Sequence, residues 1–159
     1  MHYRSGIGYD IHRLVPGRPL ILGGVRIPFE KGLLGHSDAD ALIHAVCDAI
    51  LGALSLGDIG EHFPDSDPAY KDADSGRLLA LVKAMLDSSG YEICNIDTVI
   101  IAQAPAISPF KKEIKGRLCS LLAIDEGVLN IKAKTNEGLD SVGSCEAVVC
   151  YAVVSLAKP

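Results

Sequence analysis

Apolar and polar positions alternate with a period of two near the N-terminus, in the segment GIGYDIHRL. This pattern is typical of a strand that places Ile7, Tyr9 and Ile11 on one face and Asp10 and His12 on the other. Two potential metal ligands therefore point the same way from a single predicted strand.

The rest of the chain mixes strand-like and helix-like stretches. The run LILGGVRIP predicts a hairpin, because Gly23-Gly24 suits a two-residue turn. Strands and helices then interleave, but the hairpin and two closing strands interrupt a regular β–α alternation. We therefore predict an α+β (mixed α/β) fold, a single domain over residues 1–159 with a mixed sheet packed against helices plus a small β-hairpin. The predicted elements are a strand near residues 3–12, the hairpin, helices at about 36–52, 74–89 and 108–122, a strand over ICNIDTVIIAQAP, and the closing strands VLNIKAKT and EAVVCYAVVSLA.

The helix predicted from HSDADALIH carries an unusual polar set. Steps of four residues place His36, Asp40 and His44 on one side of a helix, and Ser37 is a candidate N-cap. Structural roles also explain such residues, because a buried histidine can be satisfied by neighbours and aspartates complement the positive end of a helix dipole. The apolar stripe that would pack on the sheet is Ala41, Leu42, Ala45, Val46, Ala49, Ile50 and Ala53.

Asp10 and His12 from the strand and His44 from the helix form an Asp/His/His set. Such a set suits zinc with its fourth tetrahedral position open, and an open position indicates catalysis more often than structure. Spacing alone leaves this metal site and the ordinary structural roles about equally good as interpretations.

Composition narrows the function classes. A chain of 159 residues with 48% hydrophobic residues fits one domain with a substantial core. The net charge of -5 and the absence of an arginine-rich stripe argue against nucleic acid as a partner. An anionic substrate would then need local devices such as metal ions and helix N-termini.

The five cysteines show no C-x-x-C pair, and their odd number argues against a disulfide framework. Their mostly apolar neighbours predict small buried side chains in a reducing compartment. No signal-peptide core or membrane-length apolar run is found in the sequence, so we expect no membrane partner and a cytoplasmic location, or the stroma of an organelle for a mature form. The cysteines are Cys47, Cys94, Cys119, Cys145 and Cys150.

Six motifs in order carry a family resemblance: D-x-H, GG-V-R-I-P, HSD-x-D-x-x-x-H, LGDIG-x-x-FPD-x-D, IIAQAP and KAKTNE. Together they cover nearly the whole chain, and it strongly resembles the 2-C-methyl-D-erythritol 2,4-cyclodiphosphate synthase family of the non-mevalonate isoprenoid pathway. The resemblance implies a homotrimer with active sites between subunits. It also implies a phosphorus–oxygen lyase that converts 4-diphosphocytidyl-2-C-methyl-D-erythritol 2-phosphate to the cyclic diphosphate and CMP. The substrate's own 2-phosphate attacks, which agrees with a sequence that has no nucleophile elbow and no P-loop.

The resemblance also implies roles for individual residues. The zinc ligands (or ligands of another divalent transition metal) would be Asp10, His12 and His44. His36 and Thr135 would stabilise the transition state, and Glu137 would bind a Mg²⁺ or Mn²⁺ ion that bridges the substrate diphosphate. The implied substrate-binding residues are Asp10, Ile11, His12, His36, Ser37 and Asp40 near the metal; Asp58, Ile59, Gly60, Phe63, Pro64, Asp65, Ser66 and Asp67 around ribose and methylerythritol; Ala102, Gln103, Ala104, Pro105, Ala106, Ile107 and Ser108 at cytosine; and Lys134, Thr135, Asn136 and Glu137.

Alternatives stay open at several of these positions. Asp65 and Asp67 also fit ordinary turns around the neighbouring prolines, and Lys134, where many relatives have Thr, also fits a solvated strand end. Ala106 stands where many relatives have Lys, so a phosphate contact is expected to be missing.

The last departure from the family pattern concerns a cavity on the trimer axis. Ser141 and Ser144 replace an aromatic residue and an arginine, while Glu146 keeps the acid. We expect Glu146 to lack a cationic neighbour and anion binding in this cavity to be weakened or lost.

Two other function classes remain. A zinc phosphohydrolase would use the same Asp/His/His set to activate water. A non-catalytic binding module would need the ligands for structure only, which an open fourth position on the metal disfavours. The IIAQAP and KAKTNE motifs favour the synthase, because a hydrolase has no need for them.

Overall fold

A five-stranded mixed sheet organises the chain in a computed structural model that describes residues 2–158. The sheet order is β4-β1-β7-β5-β6, and a separate two-stranded sheet pairs β2 with β3. The strands are β1 (His2–Pro16), β2 (Leu20–Leu22), β3 (Val25–Ile27), β4 (Lys31–Leu34), β5 (Glu92–Ile101), β6 (Leu129–Lys134) and β7 (Ala147–Lys158). The helices are α1 (Ala41–Leu54), α2 (Ile59–His62), α3 (Ser75–Ser89), α4 (Lys111–Leu122) and α5 (Asp140–Gly143), with 3-10 turns at Pro68–Tyr70, Ser108–Phe110 and Glu126–Val128.

The directions of the strands determine which strand ends, and therefore which functional side chains, meet at one edge of the sheet. The long strands β1 and β7 pair antiparallel from His2 opposite Lys158 to Arg13 opposite Ala147. In contrast, β5 and β6 run parallel, so their carboxyl ends meet at one edge of the sheet. The mixed sheet, the packed helices and the separate hairpin confirm the predicted fold class.

Two glycines in β1 let helix α1 lie directly on the sheet. A Cβ at Gly8 would lie 1.8 Å from the Ala45 carbonyl oxygen, and one at Gly6 would lie 2.0 Å from that of Ala49. Side chains of any other type would push the helix away from the strand. This close approach brings His44 of α1 next to the polar face of β1.

The opposite face of the sheet is apolar and exposed in a single chain. Ile7 is 68% exposed, Tyr9 47% and Ile11 42%. On the neighbouring strand β7, Tyr151 and Val153 continue this surface, and the Tyr9 and Tyr151 rings lie 4.9 Å apart. Contiguous exposed apolar residues of this kind mark interaction surfaces.

The prediction that a helix starts at His36 with Ser37 as its N-cap is wrong. Helix α1 begins at Ala41, and its N-cap is Asp40, whose carboxylate accepts a hydrogen bond from the Ile43 amide at 3.1 Å. His36 and Ser37 therefore lie in the preceding loop and do not share a helix face with His44.

Other boundaries agree better with the pattern. Helix α3 has Asp74 as its N-cap and Gly90 in the left-handed conformation at its C-cap, which agrees with the helix predicted at about 74–89. The helix expected from Ser108 starts with a 3-10 turn before α4 begins at Lys111. The sequence interpretation missed strand β4 and the short helices α2 and α5.

All five cysteines are free, and three of them are buried: Cys47, Cys119 and Cys150. The prediction of buried small side chains is wrong for Cys94, which is exposed, and only partly met by Cys145. None of the helices among residues 2–158 is long and apolar enough to cross a membrane.

Candidate active site

The structure brings together the three side chains that were predicted to share a metal ion. Asp10 Oδ2 lies 3.2 Å from His12 Nε2 and 2.9 Å from His44 Nδ1, and the two histidine nitrogens are 3.2 Å apart. A tetrahedral zinc ion with bonds of about 2.0–2.1 Å places neighbouring ligand atoms roughly 3.3–3.4 Å apart. The observed triangle is therefore close to the size that zinc or a similar divalent ion requires. Within residues 2–158 it is the only such group of three or more His, Cys, Asp or Glu side chains.

The Asp10 carboxylate acts to raise the pKa of both imidazoles, but the net shifts of the two rings are opposite. Burial lowers the pKa of His12, helped by the charge of His44 and opposed by Asp10. Burial also acts to lower the pKa of His44, but its hydrogen bond to Asp10 and the surrounding carboxylates outweigh burial and raise that pKa. Because a metal binds only neutral imidazole, protons and a cation compete for this triangle.

A cavity of about 540 Å³ opens in front of the triad. Its volume is large enough for a small-molecule substrate, and its wall combines polar groups with the apolar rings of Phe63 and Tyr70. The lining residues are Asp10, His12, Gly35, His36, Ser37, His44, Ile59, Gly60, Phe63, Pro64, Asp65, Tyr70 and Leu78.

His36 lines this cavity and has an unpaired ring nitrogen. Its Nε2 atom is buried and has no hydrogen-bond partner among the residues that the structure describes. The backbone of His36 is held in place, because its carbonyl accepts a hydrogen bond from the Asp72 amide at 2.8 Å. Buried polar atoms are normally paired, so an unpaired ring nitrogen in a pocket wall is suited to binding a ligand.

Asp40 is fully buried and is not among the residues that line the cavity. Besides capping α1, its carboxylate accepts hydrogen bonds from the Gly23 amide at 2.9 Å and the Gly24 amide at 2.6 Å. Burial raises its pKa to about 6, against the opposing effect of the three backbone donors. Asp40 thus fastens the hairpin to the start of the helix that carries His44. A direct contact between Asp40 and substrate hydroxyls finds no support in this arrangement.

The acidic loop after α1 divides between capping and pocket-facing roles. Asp58 caps α2 by accepting from the Glu61 amide at 3.0 Å, and Asp67 accepts from the Ala69 amide at 2.9 Å. Asp65 instead lines the cavity. The alternative interpretation as turn chemistry therefore holds for Asp67, while Asp65 is placed to meet a ligand.

Sequence reasoning missed three polar residues around His44. Ser75 Oγ lies 3.0 Å from His44 Nε2 and donates a short hydrogen bond to Asp38 Oδ1. One turn along α1, Asp48 accepts a hydrogen bond from the Ile59 amide at 2.7 Å. Asp38 stands inside the quoted HSDAD motif, but no local pattern marks Ser75 as a neighbour of His44.

A second cluster forms where the parallel strands β5 and β6 end. The Gln103 side-chain oxygen accepts a hydrogen bond from the Gly138 amide at 3.1 Å, and the Thr135 hydroxyl donates to Glu137 Oε1 at 3.1 Å. The segments predicted to bind cytosine and the diphosphate are thus neighbours.

The two clusters do not meet within one chain. None of the residues predicted to bind cytosine or the diphosphate lines the cavity of the metal triad. Strands β7 and β5 separate β1 from β6, so three strand spacings of about 4.8 Å lie between the clusters.

The region predicted to line a trimer axis contains a cation that the sequence interpretation overlooked. Arg13, Ser141 and Glu146 line one cavity of about 230 Å³. A cation therefore shares this cavity with Glu146, which the sequence interpretation did not foresee. Ser144 donates its hydroxyl hydrogen to the Asp140 carbonyl at 2.9 Å.

Comparisons with known proteins agree on one family. The model of the YgbB family matches residues 3–157. The chain is 53% identical to 2-C-methyl-D-erythritol 2,4-cyclodiphosphate synthase of Geobacillus kaustophilus over 156 residues, which cover 98% of this chain and 99% of that protein. It is 56% identical to the protein of the same name from Clostridium acetobutylicum over 153 residues, covering 96% and 99%.

Solved structures show the same fold. The structure of IspF from Plasmodium falciparum in complex with CDP aligns with a TM-score of 0.87 at 36% identity, covering 98% of this chain and 96% of that one. The bifunctional IspDF from Campylobacter jejuni aligns with a TM-score of 0.94 at 40% identity. This alignment covers 98% of the present chain but only 42% of the bifunctional one.

Proposed function

The chain belongs to the YgbB family, and we propose that it catalyses the reaction of 2-C-methyl-D-erythritol 2,4-cyclodiphosphate synthase in isoprenoid precursor synthesis. Its relatives carry the name of this enzyme. The substrate is 4-diphosphocytidyl-2-C-methyl-D-erythritol 2-phosphate, and the products are the cyclic diphosphate and CMP. The enzyme class is phosphorus–oxygen lyase. The observation that carries the proposal is the Asp10, His12 and His44 triangle at the wall of a substrate-sized cavity.

The proposed metal is zinc or another divalent transition metal, held by Asp10, His12 and His44. When bound, such an ion supplies a Lewis acid for a phosphate oxygen of the substrate. His36 lies in the same wall, and its unpaired Nε2 is suited to bind a phosphate oxygen when it carries a proton. This arrangement concentrates positive charge at a site that lies on a chain of net negative charge.

The reaction needs no nucleophile from the protein, because the substrate supplies its own; the protein has to position the two phosphate groups. An oxygen of the 2-phosphate forms a bond to the β-phosphorus, the bond from that phosphorus to the bridging oxygen breaks, and CMP leaves with this oxygen. Phosphoryl transfer of this kind depends on in-line geometry and charge neutralisation. We assign Thr135 to the transferring phosphate and Glu137 to a Mg²⁺ or Mn²⁺ ion on the diphosphate, since an exposed carboxylate with phosphate oxygens and waters suits these ions.

We propose that the active site is completed by a neighbouring subunit in a homotrimer. The segment predicted to bind cytosine does not line the cavity of the Asp10, His12 and His44 triad, which supports a site that a second copy completes. The exposed stripe of Ile7, Tyr9, Ile11, Tyr151 and Val153 offers an apolar surface for that contact. A cytoplasmic location agrees with the bacterial relatives.

A metal phosphohydrolase is the main alternative, because it would use the same triad to activate water. The family match over nearly the whole chain and the Gln103 and Thr135 cluster favour the synthase.

The test incubates the protein with the diphosphocytidyl substrate, zinc and magnesium, and separates the products by chromatography. We expect CMP and the cyclic diphosphate in equal amounts, and neither product from a His44→Ala variant. Release of inorganic phosphate would support the hydrolase instead. Unchanged substrate with metal-loaded protein would contradict both.

A further inference from the structure

His44 has two ring nitrogens that face different partners. Its Nδ1 atom points to Asp10 and His12, and its Nε2 atom points away from them to Ser75. A neutral imidazole carries its proton on one nitrogen only, and the nitrogen that binds a metal must present a lone pair. In the metal-binding form, His44 must therefore hold its proton on Nε2, and the group that accepts this proton fixes the ring.

Ser75 is built to be that acceptor. It is fully buried at the first residue of α3, and its hydroxyl lies 3.0 Å from His44 Nε2. The hydroxyl hydrogen is already committed, because it is donated to Asp38 Oδ1 in a short hydrogen bond. With its hydrogen used in this way, the Ser75 oxygen turns a lone pair to the His44 ring.

Asp38 is itself held in a fixed position. Its Oδ2 atom accepts from the Ser75 amide at 3.1 Å, its Oδ1 atom accepts from the Asp40 amide at 3.2 Å, and its own amide donates to the Ala73 carbonyl at 3.1 Å. The Asp38 carboxylate thus fixes the direction of the Ser75 hydroxyl hydrogen and leaves the oxygen lone pairs of Ser75 available to His44. A second hydroxyl, Ser37 Oγ, lies farther from His44 Nε2, at 3.3 Å.

We propose that Asp38 and Ser75 are positioning residues that hold His44 in the Nε2-protonated form and aim its Nδ1 at the metal. This inference rests on the proposed metal site. Among residues 2–158, the hydrogen-bond path from Asp38 to the His44 ring runs through the Ser75 hydroxyl, and the charge of Asp38 also acts on that ring through space. Partners of this kind orient a ligating imidazole and increase its basicity, and their loss typically weakens metal binding about 10–100-fold.

The test compares zinc dissociation constants, measured by competition with a chromophoric chelator, for four proteins besides the unmodified one. Ser75→Ala and Asp38→Asn should each bind zinc more weakly, by about 10–100-fold for Ser75→Ala. The zinc dissociation constant of the double variant should be at most about twice that of Ser75→Ala, because the hydrogen-bond path from Asp38 to His44 runs through the same hydroxyl. The matched control is Ser88→Ala, a serine-to-alanine change at an exposed position of the same helix, which should leave zinc binding unchanged.

Urea unfolding of the metal-free proteins separates positioning from stability. A positioning role predicts that the loss of zinc affinity in Ser75→Ala exceeds what any change in the unfolding midpoint explains. Effects of Ser75→Ala and Asp38→Asn that simply add in the double variant would overturn the relay.

A spectroscopic measurement on the unmodified protein needs no variant. In the zinc-loaded protein, ¹⁵N chemical shifts of the His44 ring should show a protonated Nε2 and a metal-bound Nδ1. A protonated Nδ1 would overturn the proposal. If Ser75→Ala keeps zinc affinity within twofold while His44→Ala loses it, the relay is wrong and the metal site stands. If the unmodified protein binds no zinc or other divalent transition metal, the metal site and the relay both fail.

Discussion

Gly8→Ala tests the contact that sets the distance between strand β1 and helix α1, which carries His44. The added Cβ would lie 1.8 Å from the Ala45 carbonyl oxygen, 2.7 Å from the Ala45 carbonyl carbon and 2.9 Å from the Ala49 amide nitrogen. All three atoms belong to the backbone of α1, so no side-chain rotation relieves the clash. The helix must move away from the strand by more than 1 Å to reach the 3.0 Å below which Cβ contacts essentially never occur.

The cost follows from overpacking of a buried interface. Inserted methyl groups in well-packed cores cost about 1–3 kcal/mol, and a rigid backbone neighbour places this case at or above the upper end. We therefore expect Gly8→Ala to lower the free energy of unfolding by about 3 kcal/mol or more. Because His44 adjoins Ala45, the same displacement enlarges the metal triangle and should weaken zinc binding at least about tenfold, since such sites tolerate only about 0.5 Å.

The assay is urea unfolding at a fixed protein concentration, with zinc affinity measured on the same preparations. Gly116→Ala is the matched control, because a Cβ at Gly116, inside helix α4, meets no heavy atom within 4 Å. It should stabilise the protein by roughly 0.5–1 kcal/mol, the gain expected for alanine over glycine in a helix. An unchanged midpoint and zinc affinity in Gly8→Ala would refute the argument that this close approach builds the site.

Three other outcomes follow from the site. His44→Ala should remove zinc and activity while circular dichroism shows α1 intact, since alanine is the best helix former; full zinc stoichiometry would contradict the ligand assignment. A His12→Ala chain mixed with an Ala104→Trp chain, each nearly inactive alone, should regain activity through sites that combine two intact halves, whereas no recovery despite subunit exchange would argue for a site within one chain. Asp40→Asn should lower the free energy of unfolding, measured in urea, by about 1–3 kcal/mol, because the NH₂ group of the new asparagine would face the backbone N–H donors of Gly23 and Gly24. Folding raises the pKa of Asp40 from 3.8 to about 6, so the advantage of the unmodified protein should shrink as pH rises from about 4 to 6 and then level off; an advantage that grows over this range would contradict the shift.

The sequence predicted the metal triad because its signals are local. Alternation in β1 places Asp10 and His12 on one face of the strand. The helical pattern that follows places His44 in the first turn of α1. The helix start itself was misread, since HSDAD offers Ser37, Asp38 and Asp40 as caps. The choice of Asp40 depends on the hairpin amides, which come from a distant part of the chain.

Residues joined only by tertiary packing were out of reach of sequence patterns. Ser75 meets His44 across 31 positions of sequence, and at the start of α3 it looks like an ordinary first-turn residue. The sequence interpretation also missed that Arg13 and Glu146 line the same cavity. These two residues come together only through the pairing of β1 with β7.

The central claim is that this site transfers a phosphoryl group within the substrate and without water. The most direct measurement runs the reaction in ¹⁸O-labelled water with zinc and magnesium present and examines both products by mass spectrometry. Attack by the substrate's own phosphate predicts CMP and the cyclic diphosphate with no ¹⁸O in either. Incorporation of ¹⁸O into CMP, or labelled inorganic phosphate in place of the cyclic product, would contradict the account.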